Sequence, residues 1–210
     1  MNEGHKKTLL TEKFLTIKAG LQAYRLNDFI KMAESKKGAG KILPFVRGLR
    51  FSALLIYAIR DFLVGSDLTA NWGHIIDEDG EYCSRECDII IHNKKGQTSR
   101  WNGNGGQDHI MDFRFIEQSE AKVVISCKSF IKVESKIEVD YCNEMRNYVN
   151  QIWLFAECCP PKKSPALKTK AKQIGYDNFW HLYTLDQKTG EAKDALDEWL
   201  NFVEKVKSLM

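Results

Sequence analysis

Ser84-Arg85-Glu86-Cys87-Asp88-Ile89-Ile90-Ile91-His92 and Lys122-Val123-Val124-Ile125-Ser126-Cys127-Lys128-Ser129 are the two runs that decide how this chain folds. Each is short, apolar and β-branched, the pattern of a buried strand. Each also carries charge, which a buried strand accommodates only at a cost. Residues two apart in a strand share a face. Glu86 therefore shares a face with Asp88, and Ser126 with Lys128. If the strands are neighbours, a carboxylate and an ammonium meet on one surface.

Working outward, Trp72-Gly73-His74-Ile75-Ile76 reads as a strand, Asp77-Glu78-Asp79-Gly80 as a turn, and Tyr82 to His92 as the second arm of a hairpin. Upstream, Arg47 to Val64 is a helix apolar on more than one side. An earlier helix spans 13–35, joined to it by the flexible connector 35–41. The first helix either packs on the core or forms an oligomer arm. Downstream come a Gly-rich loop over 97–109, a strand at Phe113 to Ile116, and the Lys128 strand. Ile137 to Cys158 reads as a long helix ending before Pro160-Pro161. A short basic helix (Pro165 to Ile174), a last strand (Phe179 to Leu185) and a terminal amphipathic helix (Glu191 to Leu209) complete the chain.

The order is helix, three strands, helix, strand. Together with Asp88 and the Ser126-x-Lys128 pattern, 40 residues apart by 128 − 88, it resembles the PD-(D/E)XK nuclease superfamily over about Arg47 to Leu185. Most members have Glu or Asp where Ser126 stands, so the resemblance is to the Ser-x-Lys variant. It implies an α/β, restriction-endonuclease-like αβββαβ core, a central mixed sheet flanked by helices. Residues 1–46 are then an N-terminal helical extension, and 47–210 a nuclease-like domain with a C-terminal helix. The activity implied is Mg²⁺-dependent hydrolysis of DNA, of restriction or genome-defence type, with Mn²⁺ as the alternative ion. RNA is the other nucleic acid such a site accepts, and a homodimer the implied assembly.

In that resemblance Asp88 is the central metal ligand and the Cys127 carbonyl a second one. Lys128 orients or deprotonates the attacking water and stabilises charge on the phosphorane. Ser126 brings no charge. One carboxylate is thus missing. Asp140 and Glu144, one helical turn apart, are candidates for it; the Ser-x-Lys resemblance favours Glu144, then Asp140, with Glu86 next. Glu117, just before the Lys128 strand, is a further candidate. A second departure lies in the first core helix, where many members carry a Glu. Here Arg47, Arg50, Phe51 and Ser52 stand in that region, and no acid follows until Asp61. The alternative is a nuclease fold without catalysis, serving as a nucleic-acid-binding or protein-interaction module.

The chain is 210 residues long, 43% hydrophobic and 28% charged, enough for one sizeable core. No apolar run approaches the roughly 20 residues that span a bilayer, and no secretory h-region opens the chain. A cytoplasmic location is expected. The six cysteines lack common zinc spacings and read as reduced structural residues. The net charge of +3 permits nucleic-acid binding without demanding it. The strongest basic cluster is Lys162, Lys163, Lys168, Lys170 and Lys172, and Trp101 in the Gly-rich loop is a candidate base-stacking group. His92 ends the Asp88 strand, a position from which it could approach substrate. His181, within an apolar strand, is expected in the core.

Overall fold

The computed structural model describes residues 3–26, 39–96, 113–131, 139–161, 164–186 and 189–210. The elements in chain order are α1 (Glu3–Leu26), α2 (Ala39–Phe62), β1 (Leu68–Ile76), β2 (Cys87–Asn93), β3 (Phe113–Glu117), β4 (Ala121–Phe130), α3 (Val139–Met145), β5 (Gln151–Cys159), α4 (Ser164–Ile174), β6 (Asn178–Leu185), β7 (Ala192–Asp194) and α5 (Leu196–Lys207). The strands form one mixed sheet in the order β3-β1-β2-β4-β5-β6-β7.

The sheet separates two apolar cores. One face is covered by α1, α2 and α5, the other by α3 and α4. Strand alternation sorts the two expected runs between these faces: Ile89, Ile91, Val123 and Ile125 go to the first core, and Ile90 and Val124 to the second. That is why both runs are apolar at successive positions. Phe14, Ile17 and Leu21 of α1 are buried in the first core, so this helix packs on the body of the fold. The Trp199 indole N–H of α5 donates to the Leu10 carbonyl at 3.0 Å, joining the last helix to the first. Helix α5 buries Trp199, Phe202, Val203 and Val206, and its charges complement its dipole, with Asp197 and Glu198 in the first turn and Lys205 and Lys207 in the last.

The αβββαβ order is present as α2, β1, β2, β4, α3 and β5, with β3 added beside β1 at the sheet edge. Its last members differ from the expected ones. The long helix read over 137–158 is α3, which is only seven residues, followed by β5. Gln151–Cys159 lies parallel to both β4 and β6. A strand parallel on both sides and covered on both faces is apolar throughout, and such a run lacks the alternation that separates strand from helix. The expected closing strand at 179–185 is β6, one place farther out. Residues 192–194, read as the start of the terminal helix, form the edge strand β7. Residues 82–86 lie outside β2. The Asp77 carboxylate holds the 77–82 turn before them, accepting from the backbone N–H groups of Glu81 and Tyr82 at 2.9 and 3.2 Å.

Candidate active site

The β2–β4 pairing runs from His92 opposite Ala121 to Ile89 opposite Ile125 and goes no further. Asp88 bridges the place where it stops. Its Oδ2 accepts a hydrogen bond from the Cys127 backbone N–H at 2.7 Å. The carboxylate thus rests against the β4 main chain between Ser126 and Lys128. In an antiparallel ladder, a residue whose N–H points to its neighbour strand also points its carbonyl there. The Cys127 carbonyl therefore leaves β4 on the side of β2, as its N–H does. Ser126 is buried and Lys128 half-buried.

A bulge aims Asp88. Asn71 of β1 pairs with Ile90 and Gly73 with Cys87, so one residue of β1 faces both Asp88 and Ile89. Bulges re-aim side chains in this way. Gly73 is required at the bulge by close approach: a Cβ there would lie 1.7 Å from the Arg114 carbonyl oxygen of β3.

Five acids are candidates or near neighbours of the candidate site, and each has a defined place. Glu144, on α3, is held at both oxygens by Arg85. Its Oε1 accepts from the Arg85 backbone N–H at 3.1 Å, and its Oε2 pairs with Arg85 Nε at 2.5 Å. Glu86 accepts from the Trp72 indole N–H at 2.7 Å. Asp140 is exposed in the first turn of α3. Glu117 ends β3, separated from β2 by β1. Asp61 of α2 pairs with Lys13 of α1. Cys87 lies between the segments that carry two of these acids. Its thiol is pushed up to about 12, chiefly by burial, and the charges of Asp88 and Glu144 add to the shift. The contact of the Cys87 thiol with the Met145 sulfur at 3.6 Å brings the segment of Asp88 against the helix that carries Glu144.

Among the described residues, no three His, Cys, Asp or Glu side chains form a group able to hold a metal ion. Mg²⁺ does not require one: it binds through one or two carboxylates, with water and substrate phosphate completing its shell. Burial raises the Cys127 thiol well above its ordinary range, as it does Cys87, so both favour the protonated form over a soft thiolate ligand. The set offers hard oxygen donors, and it fits Mg²⁺ through Asp88 and the Cys127 carbonyl.

His92 stands toward the opposite end of β2 from Asp88. It is fully buried, with Nδ1 donating to the Asn93 carbonyl at 2.7 Å and Nε2 3.0 Å from the Asn71 side-chain oxygen. Burial lowers its pKa to about 4. The cause is the neighbouring strands, which enclose the residue the sequence puts at a strand end. His181 is in the core, stacked on Phe179, with no partner for Nδ1 among the described residues. Lys168 is bound to Glu198 at 2.5 Å, while Lys170 is exposed on α4. Trp101, Lys162 and Lys163 lie outside the described residues. All six cysteines are free thiols, and only Cys83 is exposed. No helix among the described residues is long and apolar enough to cross a membrane.

No protein-family model matches the chain, and no curated protein matches it. Solved structures do. P. aeruginosa ATCC27853 NucC in its cAAA-bound form superposes with a TM-score of 0.59 at 13% identity, covering 96% of this chain and 90% of that one. E. coli MS115-1 NucC in its cAAA-bound form gives 0.54 at 8% identity, covering 96% and 89%. At such identities the likeness establishes the fold. The chain has the restriction-endonuclease-like fold implied by the resemblance of its two strands and their order.

Proposed function

We propose that this protein is a metal-dependent nuclease that hydrolyses DNA phosphodiester bonds in restriction or genome defence. The observation that carries the reading is the bond from Cys127 N–H to Asp88, which sets a carboxylate against the Ser126-Cys127-Lys128 backbone. Bound Mg²⁺ would supply charge neutralisation and an activated water. Asp88 and the Cys127 carbonyl would hold it, with Glu144 as the second carboxylate. Asp140 and Glu86 remain the other candidates. Lys128 would orient the attacking water and stabilise the negative charge that grows on the phosphate. Ser126 would hydrogen-bond without adding charge. Lys170 and the lysines at 162 and 163 would contact the DNA backbone, and Trp101 would stack on a base.

The test is cleavage of plasmid DNA, with RNA in parallel, under Mg²⁺ and under Mn²⁺. Because both NucC neighbours carry cAAA, each assay is run with and without that ligand. Asp88→Asn and Lys128→Ala should abolish whatever cleavage the wild type shows. Equal activity in mutants and wild type rejects the reading. A second reading, a nuclease fold that binds nucleic acid without cutting it, is favoured by the neutral Ser126 and by the engaged Glu144. It predicts salt-sensitive binding and no cleavage under any of these conditions.

A further inference from the structure

The Arg85–Glu144 contact ties one candidate acid to a cation that precedes the Asp88 strand. Arg85 directly precedes the Glu86-Cys87-Asp88 segment, and it grips Glu144 twice, through main chain and guanidinium. Cys87, beside Asp88, meets Met145, beside Glu144, with 3.6 Å between their sulfurs, so Glu144 stands near the Asp88 segment while paired with Arg85. Arg85 is itself about half exposed, at 52% of its side chain, whereas Glu144 is at 31%. The cation is thus the solvent-facing member of the pair. A guanidinium pairs with phosphate through the same fork geometry it uses for carboxylate.

We propose that Arg85 is a counter-ion latch: it holds Glu144 out of metal binding in the resting protein and transfers to a substrate phosphate, which frees Glu144 to join Asp88. The inference rests on the metal-dependent reading above. It makes metal and phosphodiester binding mutually reinforcing, because each favours the arrangement with Arg85 released from Glu144. No bond is made or broken in the exchange; one ion pair replaces another. Arg85 is a positioning residue here, acting through Glu144.

The experiment is calorimetric titration of the full-length protein with Mn²⁺ alone, and again with a phosphorothioate DNA duplex present. In wild type, the duplex should tighten Mn²⁺ binding by about tenfold, the size of an ordinary coupling between sites. Arg85→Ala should bind Mn²⁺ about tenfold more tightly without DNA and lose the enhancement by DNA. Adding Glu144→Gln to Arg85→Ala should return Mn²⁺ affinity to the wild-type resting value. Thermal unfolding confirms that each variant is folded. If Arg85→Ala binds Mn²⁺ as wild type does while Asp88→Asn abolishes binding, the latch is overturned and the metal-dependent reading stands. If Mn²⁺ binding is indifferent to Asp88, both fall.

Discussion

Asp88 and Cys127 meet side chain to main chain, with Oδ2 2.7 Å from the backbone nitrogen, just past the last paired residues of β2 and β4. The strands part there, and the carboxylate takes the N–H that would otherwise lack its partner. A site that admits phosphate needs such an opening, because a closed ladder leaves no main-chain group for a cation. Asp88→Asn keeps the shape and removes the charge. It should leave the fold intact, eliminate Mn²⁺ binding by calorimetry and eliminate DNA cleavage. Lys128→Ala should keep metal binding and lower the cleavage rate by about 10²–10³-fold, the usual cost of losing one group aimed at developing charge.

Burial of His92 makes stability fall in acid. Its pKa is lowered to about 4 from an ordinary 6.5, chiefly by burial. The unfolded chain therefore takes up a proton below pH 6.5 that the native protein resists until about 4. Stability from this residue is present above pH 6.5 and is lost as pH falls through that window, by roughly 3 kcal/mol at most. Denaturant midpoints measured between pH 7 and 4 should fall more steeply in wild type than in His92→Gln.

Gly73 and Gly48 respond oppositely to alanine. At Gly73 the new Cβ meets the Arg114 backbone, which cannot swing away as a side chain can. Gly73→Ala should cost roughly 3 kcal/mol or more by overpacking and disturb the bulge beside Asp88, with loss of Mn²⁺ affinity. At Gly48, inside α2, nothing lies within 4 Å of the added carbon. Gly48→Ala should stabilise by about 1 kcal/mol from helix propensity. Urea unfolding measures both.

Trp199 secures both ends of the chain. It is fully buried, makes an edge contact with Phe62 at 5.6 Å, and donates to the Leu10 carbonyl. Trp199→Phe keeps a ring and removes the indole bond, while the Leu10 carbonyl keeps its partner within α1, so it should cost about 1 kcal/mol. Trp199→Ala should cost about 3–5 kcal/mol. Limited proteolysis should then cut within α1 before it cuts the sheet.

The lysines of α4 are unequal. Lys168 is neutralised by Glu198, and Lys170 is exposed. Lys170→Ala should reduce the salt dependence of DNA binding by about 0.9 in the log–log slope, one phosphate contact's worth. Lys168→Ala should change that slope much less. A fluorescence-anisotropy series in salt distinguishes the two.

The Asp88 and Lys128 strands were legible because Ile89 to Ile91 and Val123 to Ile125 are β-branched, apolar and brief, and only a two-sided burial calls for such a run. Gln151 to Cys159 is just as apolar, and it followed helix-compatible residues without a turn signal strong enough to divide them. Its identity as a strand depends on β4 and β6 lying on either side, which no local pattern encodes. The composition of the candidate site was readable in the same partial way. Asp88, Ser126 and Lys128 stand in strands, where a period of two fixes relative facing. Glu144 and Glu86 do not belong to those strands, and their partners Arg85 and Trp72 were invisible as partners.

What the sequence determined by itself was the set of short-range choices: which runs form the central strands, where a carboxylate and an amine fall on them, and that one expected acid is a serine. Those follow from backbone periodicity and side-chain chemistry, which act over a few residues. The tertiary structure alone decided that His92 is enclosed, that α1 and α5 share a core through Trp199 and Leu10, and that Arg85 already occupies Glu144. These depend on groups far apart in the chain being brought within a few ångströms, where burial and ion pairing change what each residue is free to do.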